Sequence, residues 1–306
     1  FFDKELARFS DAEISVVESG PLRATVKAVS RYNDSTMTQY FSLIAGERRL
    51  RVRAECDWRE KYKMLKLAFN TDVGENPRIF YEIPFGYFER PCDGEEENGH
   101  RYIVLTGSKR GMALLNDSRY SFSVKDSEMR MTIVRSPVFS DHGGPRTSES
   151  VFTDQGLTKF EYELVPVSPE GDFAAVERMA AELNCPPVNI IENNHKGCLA
   201  PSGSFVSVDA DNVSITAFKR AEDDNGWIVR AYETAGRGAE AKISLPLLDE
   251  ELNLSFRKFE VKTVFIPDHA FFYSQYLIKY INQQMIEDFS LLFHIQPFTD
   301  IFLFFY

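Results

Sequence analysis

Short runs in which apolar and polar residues alternate recur along most of the chain and constrain its fold more than any other feature. Three examples rich in β-branched and aromatic residues are 24–29, 40–44 and 50–54. Turn residues separate them, at Asn33-Asp34-Ser35 and at Gly46-Glu47. A period of two with closely spaced turns is typical of antiparallel strands with one buried face. The pattern predicts an all-β sandwich and disfavours parallel α/β folds.

The alternation continues beyond residue 54, and a single segment departs from it. Further strands are predicted at 64–69, 79–83, 102–105, 111–115, 121–124, 129–135 and 160–165. Residues 172–184 instead place Phe173, Val176, Ala180 and Leu183 at helical spacing, before Pro186-Pro187. Proline cannot continue a helix, so one short helix is expected there.

Composition divides the chain into four parts. Residues 1–188 hold the large β array, and 189–203, rich in Asn, Gly and Pro, are interpreted as a linker. Residues 204–266 are predicted to form a smaller β unit. Its strands are expected at 205–208, 213–219, 226–233, 241–247 and 259–266, with Asn225-Gly226 as a hairpin signal. In 267–306, twelve residues are Phe or Tyr and none is Gly, so we interpret this part as an atypical aromatic tail outside the fold.

Charge and cysteine usage exclude several classes of partner. The 35 Lys and Arg against 46 Asp and Glu give a net charge of −11, which repels nucleic acid and anionic membranes. No apolar run approaches the ~20 residues that span a bilayer. The four cysteines form no C-x-x-C pair, so reduced thiols and a cytoplasmic location are expected. Because the chain begins at Phe1 with no leader pattern, we expect it to be a fragment of a longer protein.

Several segments combine aromatic, charged and glycine residues in distinctive order. They are Cys56-Asp57-Trp58-Arg59-Glu60-Lys61, Phe80-Tyr81-Glu82-Ile83-Pro84-Phe85-Gly86, Glu89-Arg90-Pro91, Gly111-Met112-Ala113-Leu114-Leu115-Asn116-Asp117 with Tyr120, Arg135-Ser136-Pro137 with Asp141-His142-Gly143-Gly144, and Phe218–Asp223 with Trp227–Glu233. These segments resemble the C-terminal region of family 38 glycoside hydrolases, the α-mannosidases. They follow the family's order over 18–266. The resemblance implies a galactose-mutarotase-like β-supersandwich, N-terminally truncated here, followed by a small β-sandwich. Two features depart from the family: Ser121, where glycine is common, and the residues after 266.

The chemistry that the resemblance implies is largely missing from these residues. A retaining glycosidase needs two carboxyl groups ~5 to 5.5 Å apart, and the family also uses a zinc ion. The histidines, at 100, 142, 195, 269 and 294, are isolated from one another and form no H-x-D or H-x-x-x-H element. We therefore assign no catalytic residue, no metal ligand and no cofactor to this chain. Zinc and the nucleophile are expected in a catalytic domain that the chain lacks.

Three residues are candidates for contact with substrate. By the resemblance, an arginine of the β-region reaches the edge of the active-site cleft, and we assign this role to Arg90. The alternative is a structural arginine that pairs with Glu89 or Asp93. Asp141 and His142, in a loop with two glycines, are also predicted to face the cleft, unless they only cap neighbouring backbone groups.

The aromatic and acidic residues in these segments have structural alternatives of their own. Trp58 and Trp227 could stack on sugar rings, although core packing explains both since each lies in an apolar strand pattern. The run Glu95-Glu96-Glu97 is interpreted as a solvated hairpin tip.

Three functional hypotheses remain open from the sequence. The chain is interpreted as the C-terminal part of an α-mannosidase acting on terminal α-mannosyl residues of glycans or mannosides. There it would support its own N-terminal catalytic domain and form an edge of the active site, and assembly into a homo-oligomer stays open. The alternatives are a non-catalytic carbohydrate-binding module and a purely structural β-sandwich. A bare apolar patch would favour the first hypothesis, and a groove lined by exposed aromatics would favour the module.

Overall fold

The structure is a computed structural model that describes residues 4–139, 145–194, 196–197 and 200–268. The chain divides into two compact units, Phe1–Cys198 and Leu199–Tyr306. The described residues form nineteen β-strands and one α-helix, so the prediction of an all-β fold is confirmed. The domain limits expected at 188, 203 and 266 stay predictions.

The first unit is built from thirteen antiparallel strands. They are β1 (Ser10–Ser19), β2 (Arg23–Tyr32), β3 (Ser35–Ile44), β4 (Leu50–Trp58), β5 (Met64–Asn70), β6 (Arg78–Ile83), β7 (Gly86–Arg90), β8 (Asp93–Asn98), β9 (Tyr102–Thr106), β10 (Gly111–Asn116), β11 (Ser121–Lys125), β12 (Glu128–Arg135) and β13 (Gly156–Val167). Nine of them form one sheet in the order β1-β2-β3-β4-β13-β10-β9-β6-β7. The other four form a second sheet in the order β5-β12-β11-β8.

The main core lies between these two sheets. Alternate residues of β4, such as Val52, Ala54 and Cys56, face it together with Phe122 of β11 and Met131 of β12. All five residues of β9 are buried, because this strand is covered on both faces. Its second face is covered by the helix.

The helix α1 (Phe173–Asn184) forms where helical spacing predicted it. Its buried residues Val176 and Ala180 pack on the face of the nine-stranded sheet that points away from the main core. Phe173 extends this contact, since its ring stacks on that of Tyr87 with centroids 3.8 Å apart. The Asp172 carboxylate accepts a hydrogen bond from the Ser168 backbone N–H at 2.8 Å and closes the turn before the helix.

Strand β1 forms one edge of the nine-stranded sheet and was not predicted from the sequence. Its pairing with β2 shifts register twice, between Ser10 and Glu13 and between Val16 and Glu18. Nine of its ten residues are exposed. The apolar alternation on which strand prediction depends is therefore present in β1 but interrupted by irregular positions.

The second unit is a small sandwich of two three-stranded sheets. Its strands are β14 (Ser207–Val208), β15 (Val213–Arg220), β16 (Gly226–Glu233), β17 (Ala239–Leu245), β18 (Glu250–Phe256) and β19 (Val261–Pro267). The sheets are β14-β17-β18 and β15-β16-β19, and a separate apolar core lies between them. Of the range interpreted as the tail, Pro267 ends β19 and Asp268 forms an ion pair with Arg220 at 2.6 Å. The rest of the tail, 269–306, lies outside the described residues.

Among the residues described, no helix is long and apolar enough to cross a membrane.

Candidate functional site

Arg90 stands at the end of β7, on the edge of the nine-stranded sheet opposite β1. Its guanidinium forms an ion pair with the carboxylate of Glu97, which lies on β8 at the edge of the four-stranded sheet. The guanidinium also lies over the rings of Phe88 and Tyr81, at 4.3 and 5.6 Å from their centroids. Arg90 thus joins the edge strands of the two sheets and closes the sandwich at this side.

The ion pair differs from the structural alternative that the sequence suggested. Glu89 pairs with Arg78 at 2.6 Å, and the Asp93 carboxylate accepts the backbone N–H of Glu95 at 3.0 Å. The partner of Arg90 is Glu97 because Glu97 lies opposite the fully buried Phe122 and so shares the core-facing side of its sheet.

The interpretation of Glu95-Glu96-Glu97 as a solvated hairpin tip was wrong, because these residues belong to the edge strand β8. An inward charge on such a strand also discourages pairing with foreign strands. The Nε of Arg90 is buried and has no hydrogen-bond partner among the described residues.

Asp141 and His142, the other two predicted contacts, lie outside the described residues. The described residues that precede this loop make contacts of their own. The Ser136 hydroxyl accepts a hydrogen bond from Trp58 Nε1 at 3.2 Å and donates one to the carbonyl of Lys63 at 3.0 Å. The structure therefore brings together two segments of the resemblance that are nearly eighty residues apart in sequence. Trp58 is 2% exposed, so core packing and not sugar stacking explains it.

An exposed aromatic and cationic group surrounds this junction. Tyr62 is 59% exposed, and its ring meets that of Phe152 edge-on with centroids 4.9 Å apart. Lys61 lies 4.9 Å from the Phe152 centroid, and Arg146 lies 5.9 Å from that of Tyr62. Tyr62 also has a φ of 55°, which is strained for a tyrosine and is found more often at functional sites than elsewhere.

Sequence reasoning missed this group because Tyr62, Arg146 and Phe152 lie outside the segments of the resemblance and meet only through tertiary contacts. Trp227, the second tryptophan, is half-buried and stacks on Phe218 with ring centroids 5.1 Å apart in the second unit.

A second polar arrangement lies beneath helix α1. The guanidinium of Arg101 is held between two buried carboxylates, Glu82 of β6 and Glu177 of α1. The Arg101 backbone N–H also donates to Glu82, at 2.6 Å. Burial raises the pKa of Glu82 to about 7, against the opposing effect of Arg101, and the nearby Glu177 adds to the increase.

Arg49 makes a similar connection at the other end of the helix. It donates to Glu163 of β13 at 3.2 Å and to Glu182 of α1 at 2.8 Å. Two arginines from separate loops therefore hold the helix on the sheet, and both groups are structural.

Within the described ranges no three His, Cys, Asp or Glu side chains converge where they could hold a metal ion.

Comparison with known proteins follows the same order of segments. The model of the glycosyl hydrolases family 38 C-terminal domain matches residues 3–143. The model of the family 38 C-terminal beta sandwich domain matches residues 212–264, so the two together cover more than half of the chain. The chain belongs to the C-terminal region of glycosyl hydrolase family 38. The first family 38 match ends at the predicted Asp141 and His142 loop, and the second lies within the small sandwich.

Relatives and solved structures agree with this family 38 assignment. Alpha-mannosidase G of Dictyostelium discoideum is 27% identical over 241 residues, 72% of this chain and 21% of that protein. Human Alpha-mannosidase 2C1 is 28% identical over 229 residues, 71% of this chain and 21% of that protein. The chain thus spans about a fifth of the length of these relatives. The crystal structure of an alpha-mannosidase from Enterococcus faecalis shares the fold, with a TM-score of 0.70 at 17% identity over 83% of this chain and 35% of the other.

Proposed function

We propose that this chain is the C-terminal part of an α-mannosidase that hydrolyses terminal α-mannosyl residues of glycans or mannosides. In this role it supports the catalytic domain and forms an edge of its active site. The observation that carries the proposal is the pair of family 38 matches in the first and second units, with the alpha-mannosidase names of the relatives. Zinc is assigned to the catalytic part of such an enzyme.

A cytoplasmic location is part of the same proposal. Cys56, Cys92 and Cys185 are all free thiols in the structure. Burial raises the pKa of the Cys56 thiol to about 11, which keeps it protonated and unreactive at neutral pH. Free thiols are usual in a reducing compartment.

A chimera tests the proposed activity. The 241-residue segment of Dictyostelium Alpha-mannosidase G that this chain matches is replaced by the present chain. We expect the chimera to hydrolyse 4-nitrophenyl α-mannoside faster than the same enzyme with the segment deleted. The isolated chain should show no turnover with or without zinc. A chimera no faster than the deleted enzyme would contradict the proposal, as would turnover by the isolated chain that is lost on mutating one of its own carboxylates.

A carbohydrate-binding module remains the second candidate, since Tyr62 and Phe152 present exposed rings beside two cations. An aromatic face of this kind can stack on a sugar. Binding of the isolated chain to mannan, lost in Tyr62→Ala, would favour the module over the enzyme part.

Within the α-mannosidase proposal, Arg90, Asp141 and His142 contact the substrate. In the chimera, Arg90→Ala should lower kcat/KM by roughly tenfold to 150-fold, since a hydrogen bond to a charged donor contributes ~1.5 to 3 kcal/mol. Steady-state kinetics of the purified chimera measure this. Because Arg90 also holds Glu97, the substitution should lower stability as well.

Glu97→Gln is the matched control, since it breaks the same ion pair and keeps the arginine. If Glu97→Gln lowers stability but leaves kcat/KM unchanged, the kinetic loss in Arg90→Ala belongs to a substrate contact. Equal kinetic losses in both variants would assign Arg90 a purely structural role.

A further inference from the structure

The core-facing side of the nine-stranded sheet continues past the core onto the surface. Cross-strand partners in an antiparallel pair lie on the same face, so Val16, Val26, Phe41, Val52 and Tyr162 form one row across five strands. Tyr162 and Val52 are 1% exposed, whereas Phe41 and Val26 are partly buried. Val16 at the end of the row is 70% exposed.

A second row repeats this change from core to surface. It runs from Phe160 and Ala54, both buried, through Gln39 and Ala28 to Ile14, which is 72% exposed. We name the apolar surface on β1 to β3 formed by Ile14, Val16, Val26, Ala28 and Leu43 the uncovered face.

The opposite side of the same strands is polar. Lys27, Tyr40 and Arg53 form a row there, and the Arg53 guanidinium lies 4.4 Å from the centroid of the Tyr40 ring. Strands β1 to β3 therefore have an ordinary solvent side, and the uncovered face is an extension of the core.

Within the part of the chain that the structure describes, this face is uncovered because the four-stranded sheet is narrower than the nine-stranded sheet. Its edge strand β5 lies over β13, where Phe69 and Tyr162 have ring centroids 5.5 Å apart. Among the described residues no strand pairs with β5 beyond β12. A sheet of nine strands is thus opposed by a sheet of four. Strands β1 and β2 and the end of β3 at Leu43 extend beyond it, whereas Met37 and Phe41 of β3 still pack in the main core.

We infer that the uncovered face is the surface on which the remainder of a family 38 polypeptide packs. The inference rests on the proposed function. The matched relatives are about five times longer than the segment that they share with this chain, so such enzymes contain a large folded body besides it. Continuity with the main core is typical of a permanent intramolecular or obligate contact and not of a transient one.

A second copy of this chain fits the face less well. The chain carries a net charge of −11, and β1 bears Asp11 and Glu13 next to the apolar residues, while its Glu18 is paired with Arg23. Two copies placed face to face would bring these acidic edges together, which is unfavourable.

The experiment measures binding, not activity. The full 306-residue chain is titrated against Dictyostelium Alpha-mannosidase G from which the matched segment has been deleted, and the Kd is measured by sedimentation. The test variant is Ile14→Lys/Val16→Lys. The matched control is Val188→Lys, a residue 87% exposed and outside every strand. All three positions are exposed, so each variant should keep the Tm of the original chain.

We expect the original chain and Val188→Lys to bind alike. Ile14→Lys/Val16→Lys should bind at least about 100-fold more weakly, because two exposed apolar side chains that the complex would bury are replaced by charges. Equal binding by all three overturns the inference, as does failure of the original chain to bind. Self-association that only the double variant abolishes also overturns it, by identifying the partner as a second copy. If binding depends on Ile14 and Val16 while the chimera stays inactive, the inference about the uncovered face holds and the proposed α-mannosidase activity is contradicted.

Discussion

Replacing Arg101 by alanine is expected to destabilise the first unit by about 3 to 5 kcal/mol at pH 7.5. The substitution leaves Glu82 and Glu177 buried beneath helix α1 without their shared cation, and removing one partner of a buried ion pair costs this much. Urea unfolding in a Trp227→Phe background measures the change, because Trp58 is then the remaining tryptophan and reports on the first unit alone.

The matched control for Arg101→Ala is Arg78→Ala. Arg78 pairs with Glu89 at the surface, where both side chains are about half exposed, so its loss should cost less than about 1 kcal/mol. Adding Glu82→Gln to Arg101→Ala should recover part of the stability by removing one buried charge. Equal costs for Arg78→Ala and Arg101→Ala would show that burial of the carboxylates does not determine the effect.

The loss of stability caused by Arg101→Ala should be smaller at lower pH. The pKa of Glu82 is about 7 in the folded protein against an ordinary 4.5, so between these values the folded state holds a proton that the unfolded state has lost. The stability contributed by neutral Glu82 is complete below pH 4.5 and is lost as the pH rises to about 7. Without Arg101, the ionised form of buried Glu82 is less favourable still. The difference in free energy of unfolding between Arg101→Ala and the original protein should therefore become smaller as the pH falls from 7.5 to 5. A gap independent of pH would contradict this account.

Trp58→Ala is expected to cost about 3 to 5 kcal/mol as well, for a different reason. Trp58 is among the largest fully buried side chains, and its removal leaves a cavity between the two sheets. The substitution also leaves Ser136 without its indole donor. Urea unfolding followed by far-UV circular dichroism, which needs no tryptophan, measures the loss.

Two further variants separate the causes of that loss. Trp58→Phe keeps most of the ring and loses the N–H, so it should cost more than the hydrogen bond alone, ~1 kcal/mol, but clearly less than Trp58→Ala. Trp227→Ala removes a half-buried ring of the second unit and should leave the first unit unchanged. If Trp58→Ala is tolerated as well as Trp227→Ala, Trp58 does not fill the core.

The predicted strands and helix show what local sequence can determine. Strands such as β4 and β17 were found because their apolar and polar residues alternate and glycines occur in the turns before them. Helix α1 was found from its spacing and the prolines that follow. Strand β8 was missed because its residues are mostly acidic. Its strand conformation comes from pairing with β11, whose residues lie at least 23 positions further along the chain at every paired position.

The candidate site shows the opposite limit. Arg90 was selected by resemblance, but its partner Glu97 could not be found without knowing that β7 and β8 end two different sheets. The group of Tyr62, Phe152 and Arg146 depends on tertiary contacts in the same way. Residue type identifies which side chains can act, and the pairing of distant strands decides which of them meet.

The two register shifts in β1 have a consequence for how the protein fails when it is overproduced. The bulges change the direction of the unpaired backbone N–H and C=O groups along β1. A strand of another molecule therefore cannot pair with this edge strand over its whole length. The bulges therefore oppose growth of an ordered fibril from β1. Ile14 and Val16 are still exposed and can associate with other apolar surfaces. Misassembly of the isolated chain should consequently produce amorphous precipitate, in which folded molecules adhere by their sides, and not cross-β fibres.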